Sequence, residues 1–99
     1  MTPPIEITHE GIELHGTVSA ASGISRHPIR IPNGTQAQIK LHSTFLIEWQ
    51  ISPDDNTWNI NSAKTPRVVP SGNHEIRVRT PIGVPVIADI PYQLSVRLV

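Results

Sequence analysis

The chain has 99 residues, enough for one domain and too few for two. It contains no cysteine, which excludes disulfides, thiolate zinc sites and cysteine nucleophiles. Its 8 acidic and 8 basic side chains cancel, which removes any strong overall attraction to nucleic acid or to an anionic membrane.

The chain opens on Met1-Thr2-Pro3-Pro4, with neither the basic stretch nor the apolar core of a secretory leader. With the missing cysteine, this fits folding in a reducing cytosol. Ile5 and Ile7 begin a period-two pattern, the mark of a half-buried strand. Residues 1–8 therefore read as an extended N-terminal arm. Ile12, Leu14, Gly16 and Val18 then alternate with Glu13, His15 and Thr17. Residues 19–25 are small and polar, as in a loop. Ile29 and Ile31 form a short strand between Pro28 and Pro32, and prolines place such a strand at an edge. Asn33-Gly34 signals a turn. Ala37, Ile39 and Leu41 resume the alternation.

Phe45, Ile47, Trp49 and Ile51 give the strongest core strand. Residues 52–57 carry proline and Asx residues with no apolar side chain. Trp58 and Ile60 follow, so 45–61 reads as a β-hairpin with both tryptophans in the core. After a polar stretch, Val68 and Val69 precede a turn at Pro70–Asn73. Ile76 and Val78 alternate with Glu75, Arg77 and Arg79. A turn at 80–83 leads to Val84, Val86, Ala88 and Ile90. The last strand sets Tyr92, Leu94, Val96 and Leu98 on one face. Seven to nine short strands, turns every 8–12 residues and no helical periodicity predict a single all-β domain over 1–99. The architecture expected is an antiparallel β-sandwich, immunoglobulin-like or jelly-roll-like.

The chemistry is sparse. His9, His15, His27, His42 and His74 show no HxH or HxxxH spacing, so no metal site and no cofactor is expected. Asp54 and Asp55 read as turn residues that bond nearby backbone N–H groups. No GxSxG, SxxK or phosphate loop is present, and no catalytic residue is assigned. Asn33-Gly34-Thr35 matches a glycosylation sequon but is equally a hairpin turn. Arg67, Arg77 and Arg79 lack the interleaved aromatics of a nucleic-acid surface and read as a solvated sheet face. No apolar run reaches the roughly 20 residues of a membrane span.

The stretch from Phe45 to Trp58, followed by Glu75-Ile76-Arg77-Val78-Arg79, resembles a hairpin and strand found in β-sandwich proteins of bacteriophage heads and tails. The likeness covers residues 36–79, with Asp55 or Asn56 where the family's turn has glycine. It implies a non-enzymatic virion protein, made in the host cytoplasm. On that reading it decorates or cements a capsid and contacts the major capsid protein or other virion subunits. A homo-oligomer, such as a trimer, is expected, with Leu46, Ile82, Ile5 and Ile7 as contacts. A tail or baseplate component and a carbohydrate-binding or adhesive module are the alternatives. A glycan-binding module requires an exposed tryptophan.

Overall fold

The computed structural model of the chain describes residues 3–18, 23–55, 57–60, 66–80 and 89–99. They form an all-β molecule of seven strands: β1 (Ile5–Glu6), β2 (Ile12–Val18), β3 (Ile24–His42), β4 (Glu48–Ser52), β5 (Asn59–Ile60), β6 (Arg67–Arg79) and β7 (Ile90–Leu98). No helix occurs among the described residues. The strands belong to one sheet in the order β2-β7-β3-β6-β4-β5, with β1 pairing in parallel to β3 and every other pair antiparallel.

One sheet serves both halves of the molecule because β3 and β6 run through both. The first part of β3 (24–31) pairs with 72–79 of β6, beside β1 and β4. The second part (36–42) pairs with 67–70 of β6 and with β7. Between them the register breaks, with residues 32–35 of β3 opposite Ser71 alone. An insertion of this kind bends and twists a strand pair. Two signals that read as turns therefore sit inside strands. Asn33-Gly34 lies in the β3 bulge, where Gly34 adopts φ +78° and the Thr35 hydroxyl donates to the Pro32 carbonyl at 2.6 Å. Pro70–Asn73 lies inside β6 at the same level, with Gly72 at φ +126°. The prolines do not make β3 an edge strand, since it is central. β1 pairs only with Ile29 and Arg30, and β7 reaches only as far as Ala37, so Pro28 and Pro32 interrupt neither of those ladders.

The core draws on both halves. Ile29, Ile31, Ile39, Ile51, Ile76, Val78, Leu94 and Val96 are buried in one cluster with Trp49 and Val18. Gly16 belongs to this packing. It faces Tyr92 across the β2–β7 ladder, and a Cβ there would land in the tyrosine ring.

Four readings need correction. Ile7 is completely buried, its N–H donating to the Arg30 carbonyl at 2.9 Å, so it contributes to the core and offers no subunit contact. With β1 paired to β3, the N-terminal segment from Ile5 onward completes the sheet of its own chain. Phe45 is 57% exposed, since strand pairing begins only at Glu48. Trp58 is half-buried on the outer face. The register of β4 and β5 matches Trp49 with Asn59, so Asn59 shares the core face and Trp58 does not. The expected contact Ile82, all of the 80–83 turn beyond Thr80 and the strand at Val84–Ala88 lie outside the described residues. Most of the 61–66 polar stretch does too.

Candidate functional site

Among the described residues, the ionisable side chains of Arg67, His27 and His74 enter the core face, each against a partner. Arg67 points inward because it pairs in register with Ile39. It donates through both terminal nitrogens to Asp55, and its guanidinium lies 5.8 Å from the centre of the Trp49 ring. Asp55 also accepts from the Ile51 N–H at 3.0 Å and from Asn59 Nδ2 at 3.4 Å. His27 shares a short hydrogen bond with the Tyr92 hydroxyl, the rings meeting edge to face. Burial pushes the His27 pKa below 6.5 and the Tyr92 pKa above 10.0, the latter opposed in part by a Ser25 hydrogen bond. His74 sits with Nε2 2.9 Å from the Pro70 carbonyl and Nδ1 2.6 Å from Asp54 Oδ2. That carboxylate lies close enough for charge pairing but off the N–H axis. All three arrangements staple loops and strands to the core.

The outer face of β3, β6 and β4 is different. Register sets Arg26, Arg77 and Gln50 in one row, with Arg79 and Glu48 in the next row and Glu75 and Ser52 in the one before. Arg26 and Arg77 stand directly opposite each other, a repulsive pairing. Glu75 resolves it, accepting from Arg77 Nε at 2.5 Å and from Arg26 Nη1 at 2.9 Å. The Arg77 hydrogen bond, followed by the Arg26 contact and both cationic charges, holds the Glu75 carboxyl below its ordinary 4.5 against partial burial. Arg79 bonds Glu48 at 3.1 Å and stacks 4.0 Å above the Trp58 ring. With Arg30 on the same face of β3 and Glu6 of β1 paired beside it, four arginines stand against three glutamates and leave this face one positive charge in excess. Ile24 and Ile60, both exposed, end its last row. Beside it runs an open groove of 570 Å³, lined by Pro4, Arg26, Pro53, Asn73 and Glu75 among others.

The solvated-face reading of Arg77 and Arg79 thus holds for their position, and Arg67 departs from it by turning inward. Arg26, whose strand is far away in the chain, carried no signal in the sequence that would join it to this face. Of the expected contact residues, Leu46 and Ile5 are exposed, at 53% and 43%. No three His, Cys, Asp or Glu side chains among the described residues are placed to hold a metal.

These features describe a bent, well-packed sheet that carries an arginine-rich ladder on its outer face. No family model matches the chain. No curated protein matches it either. Two solved structures do. The periplasmic g-type lysozyme inhibitor PliG of Aeromonas hydrophila superposes over 97% of this chain and 96% of its own, with TM-score 0.68 and 13% sequence identity. PliG of Salmonella Typhimurium superposes over 99% and 100%, with TM-score 0.63 and 9% identity. At such identities the likeness is one of fold.

These neighbours overturn the virion reading. Both are periplasmic inhibitors of an enzyme, neither enzymes themselves nor capsid proteins. The assignments to capsid decoration, to capsid and virion partners in a homo-oligomer, and to a virion location fall with it. The tail, baseplate and glycan-binding alternatives fit these neighbours no better. The physical reason is that the Phe45–Trp58 hairpin is an antiparallel pair that many β folds share, whereas the end-to-end superposition constrains the whole strand order.

Proposed function

We propose that this chain is a non-enzymatic, protein-binding inhibitor of a lysozyme. The observation that supports this is the superposition of essentially the whole chain on essentially the whole of two lysozyme inhibitors. Glycoside hydrolases work through paired carboxylates in a cleft that must stay open to a polysaccharide. A rigid sheet that seats on the rim closes it without chemistry, and rigidity lowers the ordering cost of binding. The Arg26–Arg77–Arg79 face with Trp58 suits the task. Arginine and tryptophan dominate binding energy at protein interfaces, and an excess cation complements an acidic cleft. Phe45 and Leu46, exposed side by side before β4, supply a second, apolar anchor. The reading implies a periplasmic site of action, where a lysozyme meets the cell wall.

A turbidity assay with g-type lysozyme tests it. The purified chain is expected to block lysis at near-stoichiometric amounts and to co-elute with the enzyme. Trp58→Ala and Arg79→Ala should each weaken inhibition about tenfold or more, while Lys40→Ala on the opposite half leaves it unchanged. Unhindered lysis at a large molar excess, with no complex, overturns the proposal.

A further inference from the structure

We propose that His15, Gln93 and His42 form a binding site for a single divalent transition-metal ion on the outer face of β2, β7 and β3. The placement comes from register. His15 pairs with Gln93 across β2–β7, and Gln93 pairs with His42 across β7–β3. Directly paired residues project from the same face of a sheet. The two imidazoles therefore flank one amide at the same level. Their backbones stand two inter-strand spacings apart, roughly 10 Å, a gap that two imidazoles leaning inward span with a metal held at about 2 Å from each nitrogen.

Three observations favour a ligand over a plain solvated face. All three residues are exposed and line one concavity of 400 Å³, walled by Thr17, Ser43, Thr44 and Pro91. Neither imidazole nor the Gln93 amide has a hydrogen bond or ion pair to any described residue, whereas His27 and His74 each hydrogen-bond through Nε2. Gln93 lies on β7, which is paired on both sides, and pairing to β7 sets the spacing of His15 on the terminal strand β2 and of His42 on β3.

The next row along this face carries Glu13, Ser95 and Lys40. Its opposite charges cancel and leave the cation's affinity to the donors. Two imidazole nitrogens and an amide oxygen, completed by water, suit Cu²⁺, Ni²⁺ or Zn²⁺ and not Mg²⁺ or Ca²⁺. The site is independent of the inhibitor reading, for it lies on the other half of the sheet from the arginine ladder.

The test uses tag-free protein, titrated with Zn²⁺ and Cu²⁺ by calorimetry and followed by NMR of the histidine ring signals. One equivalent should bind, Cu²⁺ more tightly than Zn²⁺. The His15 and His42 rings should shift together, and Mg²⁺ should be silent. His15→Ala and His42→Ala should each weaken binding about tenfold or more. Both positions are exposed, so circular dichroism should stay unchanged. His9→Ala should have no effect. The proposal is overturned if no metal binds, if binding survives both substitutions, or if it follows His9.

Discussion

Asp55 shows how one side chain sets the behaviour of a whole corner. It is the counter-ion of an arginine whose side chain is only 14% exposed, and it also bonds the β4 backbone and Asn59. Removing one partner of a buried pair leaves an uncompensated charge, which costs about 3–5 kcal/mol. Asp55→Ala should lower the unfolding free energy from urea denaturation by that much, and the double change Asp55→Ala with Arg67→Met, which removes both charges and keeps bulk over Trp49, should cost less. Gly16 is a second such residue. Any side chain there must displace the Tyr92 ring, and with it the His27 hydrogen bond. Gly16→Ala should cost about 1–3 kcal/mol by thermal unfolding, although the position lies on an ordinary strand.

At the scale of elements, the defining feature is the paired irregularity in β3 and β6. Two long strands bend together at residues 32–35 and 70–72, and the glycines carry the geometry. Gly34 has open space around its Cα, so Gly34→Ala should cost only the left-handed backbone penalty of about 1 kcal/mol. Gly72, at φ +126°, lies beyond the left-handed well that alanine can enter. Gly72→Ala should therefore destabilise more than Gly34→Ala, an ordering that paired denaturation curves check. In the sequence both sites read as ordinary turns, since Asn-Gly and Pro-Ser-Gly-Asn are turn chemistry. A bulge uses the same backbone conformations, and only the ladders on either side tell the two apart.

For the molecule as a whole, acid should loosen the fold in two steps. Burial holds the His27 pKa below 6.5, so below that pH the unfolded chain takes up a proton that the folded chain resists. Its contribution is present at neutral pH and is lost as pH falls from 6.5 through the lower folded value. Glu75, held below 4.5 by its arginines, behaves in the same direction at lower pH. The urea midpoint should be lower at pH 5 than at pH 7.5, and His27→Gln should flatten that part of the profile. Its formal charge sums to zero, yet the arginine ladder gathers cations on one face of one half of the sheet. A sum of charges conceals that clustering, which is why composition pointed to no partner.

Period-two alternation by itself determined the all-β class and most of the core: Ile29, Ile39, Trp49, Ile51, Ile76, Val78, Leu94 and Val96 all lie where the pattern puts them. It also put His15 and His42 on the polar phase, because alternation assigns a face from local residues alone. It does not assign a partner. Strand order, register and the bend are long-range choices, and they decided the rest. They joined the two layers into one sheet, took Ile7 into the core, turned Arg67 inward and Trp58 outward, and set Arg26 against Arg77. The same pairing brought His15 and His42 to either side of Gln93, a juxtaposition of residues far apart in the chain that no sequence spacing records.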